Sequence, residues 1–167
     1  MAVNRYDYHI TVLLEDRPYR DIMNGVKLAP HVNPIRIDVR QPAGGWKNVL
    51  DQLENDVLPL MEGFPKKHVL LLIDFDNQYA GRKKRFDDIV ARSPVADRAF
   101  LLGIDNSESE DLKRYTGHKN YEQIGSLLVR DCPEQTASDL WQTAHLSCNI
   151  PELQRMQAAG VTDWLFS

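Results

Sequence analysis

The chain has 167 residues, which fits one domain of ordinary size and argues against two independent cores. Apolar residues make up 43% and charged residues 26%, the balance of a globular protein rather than a disordered or fibrous one. The net charge is −4 and the pI about 5.7, so the chain does not coat nucleic acid through overall positive charge, and any such contact requires a local patch.

The first residues carry no long apolar stretch with a small-residue cleavage site, so no signal peptide is expected. Residues 8–14 (YHITVLL) form a short, β-branched apolar run that reads as a buried strand and stops at Glu15-Asp16. Residues 17–28 follow with helical spacing at Tyr19, Ile22 and Val26, predicting a short helix or a long loop. Pro30 and Pro34 break that segment, and residues 35–39 (IRIDV) alternate like a strand with one face less buried. Gln41-Pro42-Ala43-Gly44-Gly45 is a turn. From Trp46 through Val49, Leu50, Leu53, Val57, Leu58 and Met61, apolar residues recur at three- and four-residue steps, the mark of an amphipathic helix. Pro59 is expected to kink or end it.

Residues 68–73 (HVLLLI) are apolar on both faces, as a central parallel strand is, and they run into Asp74-Phe75-Asp76-Asn77. A basic helix is expected over 82–92. Residues 99–104 (AFLLGI) read as a fourth strand, ending at Asp105-Asn106. Beyond it the pattern is helical: 111–115, 121–129, 136–146 with Trp141, and 151–158 with Pro151 at its start. Cys132 and Cys148 lack C-x-x-C spacing and read as reduced thiols of a cytoplasmic protein, although a disulfide stays open. No apolar run approaches the roughly 20 residues of a membrane span, so no membrane partner is expected. Alternation of strand and helix predicts an α/β fold: a parallel four-stranded sheet flanked by helices, with a core over residues 1–115 and a helical C-terminal extension, 116–167, packed on the same domain.

Three strand ends carry acid. In open parallel sheets the crevice at the carboxyl ends of the strands takes ligands, and carboxylates gathered there repel unless a cation neutralises them. Hard oxygen donors favour Mg²⁺ or Mn²⁺. Asp74 and Asp76 stand two residues apart and can face one ion, with Phe75 pointing into the packing. The alternative for each acid taken alone is a helix cap or a turn. Glu15, Asp74 and Asp76 are therefore the candidate metal ligands and catalytic carboxylates. Asp105 and Glu110 are candidates for a second metal, with capping near Asp111 the competing role.

Arg82-Lys83-Lys84-Arg85, expected at a helix start, opposes the helix dipole and invites a bound phosphate backbone; the alternative is a solvated basic turn balanced by Asp87 and Asp88. His118 and Lys119 read as a plain loop, His145 as a packed histidine. Trp164, Leu165 and Phe166 are expected to dock, on this domain or on a partner.

LLEDRPYRDIM (residues 13–23) and LLIDFDNQ (residues 71–78) resemble the two motifs of the Toprim family, the metal-binding domain of topoisomerases, primases and overcoming-lysogenization-defect nucleases. The resemblance covers about residues 8–115. It implies that Glu15, Asp74 and Asp76 ligate Mg²⁺, that the chemistry is phosphoryl transfer on nucleic acid (DNA in preference to RNA), and that Glu15 is a candidate general acid or base. The family usually has glycine where this chain has Asp16, and its nuclease members often have an acid where this chain has Tyr19. No tyrosine nucleophile is identifiable, which favours hydrolysis over strand passage. Family analogy further suggests a separate ATPase partner in a defence system; homo-oligomerisation is left open. Two readings compete: a non-catalytic Toprim-like interaction subunit, and an NYN/PIN-type ribonuclease suggested by Asp74-Phe75-Asp76-Asn77.

Overall fold

Strands His9–Leu14 (β1), Ile37–Val39 (β2), Lys67–Asp74 (β3) and Ala99–Ile104 (β4) run parallel in one sheet of spatial order β2-β1-β3-β4. The computed structural model describes residues 2–105, 109–117, 119–130 and 140–166. Every residue of β1 and β4, and all of β3 except Asp74, is buried, which is why their sequences read as continuous apolar runs.

The helices are Arg17–Leu28 (α1), Trp46–Gln52 (α2), Leu58–Glu62 (α3), Tyr79–Val90 (α4), Ser109–Tyr115 (α5), Tyr121–Arg130 (α6), Ile150–Ala158 (α7) and Val161–Leu165 (α8). They divide between the two faces of the sheet. Ile10, Val12, Leu70, Leu72 and Leu102 meet α1 and the C-terminal helices in one core. Leu13, Val69, Leu71 and Ile73 meet α2, α3 and α4 in the other. Helices α6 to α8 thus complete the first core.

Two predicted elements differ in form. Pro59 does not end its helix: Leu53–Val57 forms a π turn in which the Leu58 N–H bonds the Leu53 carbonyl, five residues back. That wider turn makes room for the proline ring, which would clash with a carbonyl four residues back. The expected helix over 136–146 is a series of turns from Leu140 onward; residues 136–139 lie outside the described residues. There the Thr143 hydroxyl donates to the Leu140 carbonyl at 2.8 Å, taking up an acceptor a continuing helix would use.

The packing of α1 on α6 is reciprocal. A Cβ on Gly25 would lie 1.9 Å from the Glu122 carbonyl oxygen, and one on Gly125 would lie 1.9 Å from that of Ile22. The C-terminal residues dock on this domain: Phe166 bridges to Val32, the Asn33 N–H bonds the Leu165 carbonyl at 2.8 Å, and Trp164 stacks on Tyr8 with centroids 5.9 Å apart.

Among the described residues the outer margin of β4 has no strand beside it and is covered by side chains instead. Asn149 Oδ1 accepts from the Gly103 N–H at 3.0 Å and its Nδ2 donates to the Gly103 carbonyl at 2.7 Å. Glu152 Oε2 accepts from the Leu101 N–H at 2.8 Å, and Arg155 donates to the Ala99 carbonyl. No helix among the described residues is long and apolar enough to cross a membrane.

Candidate functional site

The carboxyl ends of β1 and β3 lie side by side because Leu14 is in register with Leu72. The Glu15 N–H extends that ladder to the Leu72 carbonyl at 3.0 Å. Its side chain crosses the gap: Oε2 accepts from the Asp74 N–H at 2.6 Å. Asp74 is gripped from two further elements. The Tyr19 hydroxyl, from the first turn of α1, donates to Asp74 Oδ1 at 2.6 Å and accepts from the Ile104 N–H at 3.3 Å. The Arg82 guanidinium, from α4, donates to the Asp74 carbonyl.

The structure brings Glu15 and Asp74 together; it does not bring Asp76 into the same cluster. After Asp74 the chain leaves the strand. Phe75 turns into the core, fully buried, with its ring edge-on to Tyr79 at 4.9 Å. Asp76 and Asn77 then adopt φ values of 48° and 58°, the left-handed turn that short polar side chains tolerate. This places the Asp76 carboxylate 3.9 Å from Arg82, with 61% of its side chain exposed. Among the described residues, no group of three His, Cys, Asp or Glu side chains is arranged to hold a metal ion.

Burial dominates the electrostatics of Glu15. Burial pushes the Glu15 carboxyl up to about 7, and the charges of Asp74 and Asp16 add to it, while the Asp74 N–H and Arg82 act in the opposite sense. Asp16, at the N-cap of α1, is raised by burial too, and its Oδ1 is buried without a partner among the described residues. Two half-buried acids with raised pKa, beside a third carboxylate, make a site that favours either protons or a cation.

No family model, curated protein or solved structure matches this chain. These comparisons identify no Toprim domain, and that resemblance rests on the motif residues alone.

The basic run is placed differently from the sequence expectation. Helix α4 begins at Tyr79, so Arg82 to Arg85 occupy its second turn and do not oppose the dipole at its first. Lys83 and Lys84 pair with Asp87 and Asp88 at 3.1 and 2.9 Å, the balanced arrangement weighed above. Arg82 and Arg85 instead converge on Trp46, with guanidinium carbons 4.6 and 5.2 Å from the ring centroid. Lys47 lies 5.6 Å from the same ring.

Of the remaining candidates, Asp105 bonds through its N–H to the His145 carbonyl at 2.8 Å, and burial together with the Asp105 charge pushes the Cys148 thiol up to about 11. The side chain of Glu110, and His118 and Cys132, lie outside the described residues. His145 packs edge-on against Tyr115 at 5.8 Å.

Tyr19, Trp46 and Arg82 as an inward-facing residue are the site residues that sequence reasoning missed. Arg82 had a signal: Arg82, Phe86 and Val90 share the buried stripe of α4 at four-residue steps.

Proposed function

We propose that this chain is a divalent-metal-dependent nuclease or related phosphoryl-transfer protein of Toprim type. One observation carries the reading: a glutamate and an aspartate from neighbouring strand ends share a half-buried crevice, joined by the 2.6 Å bond from the Asp74 N–H to Glu15. The donor set fits Mg²⁺ or Mn²⁺, because it is hard oxygen throughout and burial with the neighbouring carboxylates raises the Glu15 pKa to about 7. Glu15 and Asp74 would hold the ion, and Asp76 would join them as a third donor only on leaving Arg82.

The ion would lower the pKa of a bound water and offset charge on a phosphate. Glu15, whose pKa burial raises to about 7, would be ionised in holding the ion; as an alternative to that ligand role it is the candidate general acid or base. Tyr19 keeps its proton, since burial and Asp74 raise it well above the ordinary phenol value; it orients the Asp74 carboxylate as a donor. Arg82 supplies a buried positive charge at the Asp74 carbonyl, and exposed Arg85 and Lys47, both near the Trp46 ring, suit a nucleic-acid backbone. DNA is the first substrate to test, and a separate ATPase subunit is the companion that the resemblance suggests.

Purified protein is expected to nick supercoiled plasmid in Mg²⁺ or Mn²⁺ and to bind Mn²⁺ in calorimetry. Glu15→Gln and Asp74→Ala should each lower nicking by about 100-fold or more, since even outer partners of a metal ligand cost about 10- to 100-fold. The second reading, a non-catalytic Toprim-like interaction subunit, is favoured by the approach of Asp76 to Arg82. Absence of both Mn²⁺ binding and cleavage would establish it over the first.

A further inference from the structure

At the opposite end of the sheet, where β1 and β3 begin, a second pocket of about 180 Å³ opens between Arg5, His9, Asp38, Arg40 and Lys67. Its floor is Lys67, only 6% exposed. An ammonium has three donors and is strongly hydrated in water, so its burial calls for compensating partners. Among the described residues it has one hydrogen-bond partner, the Thr11 hydroxyl at 2.7 Å. That hydroxyl passes its own proton toward Asp38 at 3.4 Å, and Asp38 is already engaged by Arg40 Nε at 3.0 Å. Burial and the charge of Arg40 accordingly depress the Lys67 pKa. Burial and the charge of Lys67 act the same way on His9, whose Nδ1 is tied to the Asp7 carbonyl at 2.8 Å.

The charges here are the inverse of those at the carboxylate pair. Arg5, Arg40 and Lys67 face one carboxylate, Asp38, leaving two positive charges in excess. A carboxylate ligand would cancel one of them; a dianion cancels both. Three apolar side chains, Val3, Leu60 and Phe64, also line it, giving an organic body a surface to rest on.

We propose that this pocket binds a phosphate dianion, either the free ion or the end of a phosphomonoester, with Lys67 at its floor and Arg40 at its mouth. The ligand would supply the counter-charge that the buried ammonium lacks, and charge-assisted hydrogen bonds from a lysine and an arginine suit phosphate oxygens.

The test is a ³¹P NMR titration of the intact protein with inorganic phosphate and, separately, phenyl phosphate, in EDTA and at constant ionic strength set with chloride. Saturable binding in the range of about 1 mM or tighter is expected, weakened about tenfold or more by Lys67→Met and by Arg40→Gln. Tighter binding of phenyl phosphate assigns the site to a phosphomonoester; equal or weaker binding assigns it to the free ion. Arg40 is half exposed, so Arg40→Gln reports on binding even where Lys67→Met disturbs folding. Lack of saturation by about 10 mM with both probes, or unchanged affinity in Arg40→Gln and a folded Lys67→Met, overturns the proposal. Glu15→Gln should bind phosphate as the parent does, which separates this site from the metal-dependent reading.

Discussion

Glu15 carries the largest consequence of any single side chain, because its folded-state pKa of about 7 stands above the ordinary value of 4.5. The folded protein thus binds a proton more tightly than the unfolded chain does. Its contribution to stability is complete below about pH 4.5 and is lost as the pH rises through 7. Urea-unfolding midpoints measured from pH 5 to 8 should fall across that window in the parent protein and fall less in Glu15→Gln. A divalent ion should reverse the trend by binding the ionised form, with release of a proton near neutrality. Sequence reasoning found Glu15 and Asp74, because acid following an apolar run is a local signal. Tyr19 escaped it as a site residue: a tyrosine four residues after the glutamate looks like any buried helical aromatic until its hydroxyl is seen on Asp74. Asp76 was assigned by strand alternation, which stopped applying once the backbone turned left-handed at Asp76 and Asn77.

Among the elements, α1 and α6 are held by contact of backbone with backbone, which no periodicity announces. Gly25 and Gly125 admit the approach, and each would drive a methyl group to 1.9 Å from a carbonyl oxygen of the facing helix. Neither helix can yield without parting from the other, so Gly25→Ala is expected to destabilise by about 3 kcal/mol, the upper range of overpacking, as read by urea denaturation. The strands and α1 were legible because burial on both faces and the helical spacing of Tyr19, Ile22 and Val26 leave marks in the sequence. The π turn before Pro59 and the turns after Leu140 were not, since both arise from competition for single carbonyl groups. Arg82 to Arg85 were found as a basic run, but whether each cation points to solvent or to Trp46 depends on where α4 starts, three residues earlier than composition suggested.

At the scale of the whole molecule, the C-terminal helices do more than close a core. Asn149 satisfies both the N–H and the carbonyl of Gly103, so Asn149→Ala leaves two backbone groups unmet. A loss of about 2 kcal/mol or more is expected, together with concentration-dependent self-association visible by size-exclusion chromatography. A parent protein that elutes unchanged over the same concentrations makes the comparison decisive. At the other margin β2 contributes just three residues, Ile37 to Val39, a short template for pairing. Neither border of the sheet thus offers a long ribbon of free amide groups to a newcomer. Any companion this protein recruits, whether an ATPase or a second copy, must recognise the contours of its helices and loops rather than lengthen its β architecture.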